Sequence, residues 1–396
     1  MQIDFDVQKV IVMKKSILCL AVAGMLALPV TGQAGGIWQD TDELAAVATE
    51  GQSADGMYSS RDAMLRAADK QLTAPIPKLT DKQVVPPSGD KRDYTSLAVY
   101  FWPNPDTEDG LPYVRRDGHV NPEKWNSDKY DAKRLGQMKN EIRALARGYA
   151  MSGDERYAER AMQVAAVWFI DPETRMNPHL IYAQLVPGKS EGRSSGIIDT
   201  VQFIDVVDAL YLLQGSKAYT SERQAALQQW FSDYTDWLLT SDMGKKEGQA
   251  GNNHGIWYDA QVAVFAHFAG RDDVARRIIA AVPEKRMASE IDSDGSMPRE
   301  LARTRPMNYS LYALRALLTL ARVGDDVGTD LYDARSTNGR SLTQAIDYIL
   351  PYVKGEKTMA KEDVAAYHDK DFRLALHLAN QHYHNPAYEL PRNEGR

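Results

Sequence analysis

Apolar residues recur at helical spacing along most of this chain, and the places where the pattern breaks are equally informative. The stretch "EIRALARGYAMSGDERYAERAMQVAAVWF" reads as two helices joined at Gly153-Asp154. There glycine ends one helix and aspartate caps the next. The pattern returns in "AQVAVFAHFAGRDDVARRIIAAV", joined at Gly270–Asp272, and again at "LYALRALLTLARVGDD". Three loosely similar hairpins at irregular spacing predict helix pairs stacked into a toroid or solenoid, not a strict short repeat. Further helices are expected over Ser59–Leu72, Thr200–Leu213, Ser221–Leu239, Leu342–Val353 and Glu362–Leu378. Strand signal is scarce, with Thr95–Trp102 the best short candidate. The expected fold class is all-α, built of mostly antiparallel helix hairpins in one large domain over 35–396.

Residues 73–126 break the pattern. Prolines at 103, 105, 112 and 122 deny this region a continuous helix or a central strand. A loop this long inside a globular protein is usually functional or disordered. Tyr100, Phe101, Trp102 and Tyr113 argue against disorder, so Asp93–Glu123 is expected to be an ordered loop that covers something.

Composition narrows the class of partner. The 396 residues carry 43% hydrophobic and 26% charged positions and a net charge of -7. That charge argues against a nucleic-acid footprint, which needs a clustered basic excess. It leaves room for a local basic cleft that binds a polyanion. Met13-Lys14-Lys15, the apolar run "SILCLAVAGMLALPV" and the small residues "TGQAGG" have the layout of a secretory signal peptide, from about Met13 to about Ala34. Residues 1–12 then form an upstream extension. The expectation is a periplasmic or secreted protein with no membrane insertion after cleavage. The single cysteine, Cys19, falls inside this leader, so the mature chain is expected to carry no disulfide and no thiolate chemistry.

Candidate chemistry concentrates in three segments. In "AGNNHGIWYDAQ", Gly251 can end one segment while Asn252 or Asn253 caps the buried helix that follows. That leaves one amide and His254 without a structural task. In "IDSDGSMPRELARTRPMNYSLYAL", Asp292, Asp294 and Gly295 resemble a calcium loop, but Glu300 comes too early for that spacing and a turn fits better. Behind them Arg299, Arg303 and Arg305 lead into Tyr309, a compact set of guanidiniums suited to carboxylates. A third segment, "MNPHLIYAQLVPGKSEGRSSGIIDT", offers Gln184, Lys189 and Arg193 at a loop edge. His377, His382 and His384 near the end do not pair at i,i+4, and no metal site is expected there.

Taken together, "YTSLAVYFWPNPDTEDGLPYVRRDG", "MNPHLIYAQLVPG", "GIIDT", "NNHGIWYD" and "DGSMPRELARTR" resemble the alginate-lyase-type polysaccharide lyases, with the match looking closest to polysaccharide lyase family thirty-eight. The resemblance extends over most of residues 93–320. Compared with the mannuronate lyases of family five, Pro-Met-Asn-Tyr stands where Tyr-His-Asn-Tyr is found, and the arginines lie closer to the tyrosine. This leaves Arg303 and Arg305 as alternatives for one role. The resemblance implies an incomplete (α/α) toroid that cleaves 4-linked polyuronates by β-elimination without metal or other cofactor. It implies Asn253 and His254 at the cleft facing Tyr309. Tyr309 would serve as base and acid, His254 would assist, and Asn253 with Arg303 would neutralise the uronate carboxylate. Arg305, Asn252, Trp257, Tyr258, Gln184, Arg193, Arg115, Arg116 and Trp102 are the expected substrate contacts, with the anionic polysaccharide as partner. Nearby arginines and a histidine would lower the phenol's pKa. Two other readings stand beside this one. A helical-toroid glycoside hydrolase would draw two acids from Asp199, Asp259, Asp292 and Glu300. A non-catalytic polysaccharide binder would use Trp102, Trp257 and the arginines as a platform.

Overall fold

The computed structural model describes residues 36–390, apart from 40, 53–57 and 366–369. The expected signal peptide, Met13 to Ala34, lies outside the described residues. Fifteen α-helices follow one another among the described residues. They are α1 (Thr41–Glu50), α2 (Arg61–Asp69), α3 (Glu123–Asn126), α4 (Ala132–Ser152), α5 (Glu155–Phe169), α6 (Gln202–Tyr211), α7 (Ser221–Thr240) and α8 (Asp242–Gly248). Then come α9 (Asn253–Phe268), α10 (Asp272–Val282), α11 (Ala288–Glu290), α12 (Pro298–Leu301), α13 (Pro306–Val327), α14 (Leu342–Val353) and α15 (Lys370–Tyr383).

Burial along each helix shows its place. Fourteen of the sixteen residues of α9 are buried, so this helix has no solvent face. In α10 only Val274, Ala275, Ile279 and Val282 are buried, the single stripe of a helix on the outside. Helices α4, α6, α9 and α13 pack in succession as an inner series. Outside them α5 packs on α4, α7 and α10 on α9, and α14 and α15 on α13. The arrangement is an incomplete (α/α) toroid. Phe203, Phe231 and Phe265 meet with centroids 5.2–6.4 Å apart where inner and outer layers join.

Local signals explain several boundaries. Gly153 takes a left-handed φ of 67° at the end of α4, and Asp154 caps α5 by accepting from the Arg156 N–H. Ser341 and Gln344 form a capping box at the start of α14. The third expected hairpin differs: α13 runs on to Val327 and ends at left-handed Gly328, with a long connection before α14. Gly324 is held inside the helix, packed against the Thr329 carbonyl. The helix expected over Thr200–Leu213 begins as a 3-10 turn, 194–201, before α6. Residues 362–365 are not helical, and α15 starts at Lys370.

The proline-rich region forms two small ladders. Strand β1 (Thr95–Leu97) runs parallel to β4 (Tyr182–Leu185), and β2 (Phe101–Trp102) pairs antiparallel with β3 (Val114–Arg115). The expected strand Thr95–Trp102 is therefore split between two partners. Two buried ion pairs fix the roots of this loop. Lys82 Nζ lies 2.8 Å from Asp131, which also accepts the Thr95 N–H, and Lys124 Nζ lies 2.7 Å from Asp199. Lys82 also donates to the carbonyls of Leu79 and Lys91, and Asp199 also accepts from Tyr94, Ser96 and Gln184.

Candidate active site

The approach to α9 is stapled by one buried guanidinium. Arg286 sits in a π-helical turn, 283–287, and pairs with Asp259 at 2.7 Å. It also donates to the carbonyls of Gly248 and Ala250, at 2.8 and 2.5 Å. Gly255 makes this possible, since a Cβ there would lie 1.9 Å from the Ala250 carbonyl oxygen and 2.3 Å from Arg286 Nη1.

Above the staple, Asn252 caps α9 through the His254 N–H. The next two side chains each meet a buried carboxylate. Asn253 donates its backbone N–H to Glu300 Oε1 at 2.6 Å and its Nδ2 to Oε2 at 2.7 Å. His254 Nδ1 lies 2.6 Å from Glu247 Oε1. An ionised carboxylate only accepts, so Nδ1 donates to it and the Nε2 edge is turned away from Glu247. Nε2 makes no hydrogen bond among the described residues, and the ring is partly exposed.

The other half of the site comes from the segment around α12. Arg299 donates to the Gly251 carbonyl and Glu300 grips Asn253, so residues 299–300 are tied directly to 251–253. Arg303 lies over the Tyr309 ring, 4.1 Å from its centroid, and donates to its hydroxyl at 3.0 Å. Tyr309 itself stands in the first turn of α13, whose free N–H groups at Met307 and Asn308 are taken by the Asp363 carboxylate.

The proline-rich loop closes on these same residues. The Tyr100 hydroxyl is 2.5 Å from that of Tyr309. Asp117 takes Arg303 Nη2 at 3.0 Å, the Thr304 hydroxyl at 3.0 Å and Arg115 Nη2 at 2.6 Å. Burial pushes the Asp117 carboxyl up, but these donors outweigh it and hold it below the usual range. Gly118 follows at φ 78°, and a Cβ there would strike the Thr304 side chain. The phenol of Tyr309 corrects an expectation. Burial first, then the hydrogen bond and charge of Tyr100, push its pKa well up, and Arg303 offsets only part of this.

Two residues expected to touch substrate belong to the core instead. Trp257 is fully buried against Tyr312, with centroids 4.8 Å apart, and Tyr258 is buried with its hydroxyl on the Leu238 carbonyl. Neither presents a face to a sugar. Gln184 is also buried, bound to Asp199 through Nε2 and to Arg193 through Oε1, so it braces the loop root. Arg193 is partly exposed and lies over Phe101 at 4.9 Å. Trp102 donates to the His119 carbonyl, and Arg116 lies over its ring at 5.6 Å. Arg115 is well exposed, and Arg305 starts α13 with its carbonyl accepting the Tyr309 N–H. Reading residues from the sequence missed Tyr100, Asp117 and Glu247. Their partners lie 209, 186 and 7 positions away, and only the last distance is local enough to search.

Comparison with known proteins identifies the family. A model of the alginate lyase family matches residues 78–359. Curated proteins return no match. An alginate lyase from Bacteroides ovatus superposes with a TM-score of 0.83 at 36% identity, over 90% of this chain and 94% of that one. Alginate lyase A1-III from Sphingomonas species A1 gives 0.50 at 16% identity, over 89% of each chain. A variant of A1-III complexed with tetrasaccharide gives 0.55 at 15%, over 89% of this chain and 88% of that one. At such identities the A1-III structures share the fold alone. The family match covers most of the chain and both halves of the site, and the chain belongs to the alginate lyase family of polysaccharide lyases.

Proposed function

We propose that the protein cleaves 4-linked polyuronates by β-elimination, with mannuronan or alginate the first substrate and glucuronan the second, and leaves 4,5-unsaturated uronate ends. The observation that carries this reading is the Tyr309 hydroxyl held at 3.0 Å by Arg303, on a segment that Arg299 and Glu300 tie to the turn carrying Asn253 and His254. Elimination removes the C5 proton, which becomes acidic only when the adjacent carboxylate is neutralised. Asn253 and Arg303 would donate to that carboxylate and stabilise the charge that develops on it. In mannuronate and glucuronate, C5–H and C4–O lie on one side of the ring. One phenol can then take the proton and return it to the leaving oxygen. Tyr309 has that double role here, with His254 assisting through Nε2.

The raised phenol sets a condition on this chemistry. Arg303 favours the phenolate, while burial and the neighbouring Tyr100 oppose it. Asp117 occupies the same guanidinium, so a substrate carboxylate would compete with it for Arg303. The loop that carries Tyr100 and Asp117 is the candidate lid.

The hydrolase reading loses support from the surroundings of its acids. Asp199 and Asp259 are buried in ion pairs, and both Glu300 oxygens are committed to Asn253. The leader reading and an exported location are retained as part of this proposal. Purified protein incubated with polymannuronate, glucuronan and polyguluronate tests it. An ultraviolet-absorbing alkene should accumulate on the first two. Chain shortening without alkene would favour hydrolysis, and binding without shortening would leave a polysaccharide binder.

A further inference from the structure

We propose that Glu247 is a positioning residue for the elimination: its buried carboxylate fixes the proton of the His254 ring on Nδ1 and leaves Nε2 with a bare lone pair on the edge turned away. The proposal rests on the reading of His254 as the group that assists Tyr309. Glu247 stands in the last turn of α8 with its side chain 5% exposed, and Oε1 lies 2.6 Å from Nδ1. The His254 side chain is 24% exposed, so its outer edge is open. An ionised carboxylate has no donor, and only a ring with a proton on Nδ1 fits it. Arg193 lies within charge range of Glu247 and favours that ionised form. A free neutral imidazole can carry its proton on either nitrogen, and here one side makes the choice. The choice matters because the Tyr309 phenol is hard to ionise. Burial first pushes its pKa well up, and Arg303 offsets only part of this. With Nε2 bare, the phenol O–H bond can break with its electron pair left on oxygen, and the proton bonds to Nε2. The new imidazolium then lies against the Glu247 carboxylate. The other tautomer would present a donor at Nε2 and accept nothing there.

The bland account makes the pair a clasp that closes the turn between α8 and α9. That turn is already closed. Arg286 donates to the carbonyls of Gly248 and Ala250, the Ala250 N–H reaches the Glu247 carbonyl at 3.0 Å, and Asn252 caps α9. Gly248 lets α8 sit against the Tyr258 ring, where a Cβ would come within 2.8 Å. The Glu247 backbone is therefore held without help from its carboxylate. A clasp would be served as well by an amide, which costs less to bury than a charge. An amide, however, can turn either its oxygen or its NH2 to Nδ1, and so admits both tautomers.

The experiment uses the full chain with Glu247→Leu, Glu247→Gln and His254→Ala, read by melting temperature and by KM and kcat at the alkene absorbance. Nitrogen-15 spectra of histidine-labelled protein, at a pH where the rings are neutral, read the tautomer. His254→Ala assigns the His254 signals among the eight histidines. Wild type should show Nδ1 protonated and Nε2 bare. Glu247→Leu should show a proton on Nε2, with kcat down about a hundredfold, the lower range for a positioned acid–base group. Its KM and melting temperature should stay close to wild type. Glu247→Gln should show both tautomers and an intermediate kcat. A wild-type ring protonated on Nε2, near wild-type kcat in Glu247→Leu, or a fall in kcat with the ring unchanged would overturn the proposal while His254 keeps its role. If His254→Ala itself turns over normally, the reading of His254 falls and this proposal falls with it. Should Glu247→Leu not fold, Glu247→Gln decides alone. A mixed ring with lower kcat supports the proposal, and an unchanged ring or unchanged kcat overturns it.

Discussion

The hydroxyls of Tyr100 and Tyr309 lie 2.5 Å apart although 209 positions separate the two residues. A loop from near the start of the fold thus touches the group proposed to move the proton. Arg303 also donates to the Tyr309 oxygen, so a contact that raises the phenol's pKa and one that lowers it meet at the same atom.

Removing each hydroxyl separates these contributions. Tyr309→Phe should abolish alkene formation, a loss of about a thousandfold or more, with melting temperature and oligouronate binding nearly unchanged. Tyr100→Phe should leave the base in place and move its ascending pH limb to lower pH, because a contact that raises the Tyr309 pKa is lost. Near wild-type rates in Tyr309→Phe would remove it from the acid role.

The raised phenol predicts an alkaline activity profile. In the free enzyme, kcat/KM should climb as pH rises through the alkaline range, since the base works only when ionised. Arg303→Ala removes a cation that pulls this pKa down, so its ascending limb should move to higher pH as well as lower rate. A limb that stays in place would mean that another group supplies the base.

The outer arginines of the loop serve a different test. Arg115 is exposed beside Asp117 and Arg116 covers the Trp102 ring, so neither holds the core together. Replacing both by alanine should raise KM several-fold on long chains and leave thermal stability close to wild type. Protease nicking within Pro103–Pro112 should slow when an oligouronate is present. Unchanged kinetics, with nicking indifferent to ligand, would reduce the loop to structure.

Buried acids predict how stability varies with pH. Burial pushes Glu290 up to about 7, and Arg286 offsets only part of that. Between about 4.5 and 7 the folded protein therefore holds a proton that the unfolded chain has released. Its contribution to stability is complete below that window and lost as pH rises through it. Glu141, raised to about 7, and Asp131, raised to about 6, act in the same direction. The melting temperature should fall from pH 5 to pH 8, and Glu290→Gln should make that fall shallower. An unchanged slope in the variant would show that Glu290 is ionised throughout.

How much of this was legible depended on the range of each signal. The junction at Gly153-Asp154 and the cap at Asn252 are made by neighbours in the chain, so the local pattern sufficed. The contact of 251–253 with 299–300 was not legible, since no spacing rule joins residues 47 positions apart, and the family resemblance implied only that Asn253 and His254 face Tyr309. Trp257 and Tyr258 were misplaced for a definite reason. A helix buried on every side has no polar face to show which aromatic looks toward the cleft, and both turned inward. Tyr100 and Asp117 were hidden because a loop's docking depends on surfaces assembled from elsewhere. The depressed phenol expected for Tyr309 failed on burial, which counts against the charged form and leaves no mark on a sequence.

The two ion pairs at the roots of the proline-rich loop give it the character of an exchangeable cassette. Lys82–Asp131 and Lys124–Asp199 pin the chain on both sides, so what lies between them is held at its ends by charges that the toroid already supplies. Residues 98–120 can then be lengthened, shortened or transplanted from a related enzyme with the barrel helices left alone, because loop closure between fixed points grows costly only slowly with length. Specificity for one uronate over another can thus drift or be redesigned within about two dozen positions, while the groups that move the proton stay on helices that never have to change.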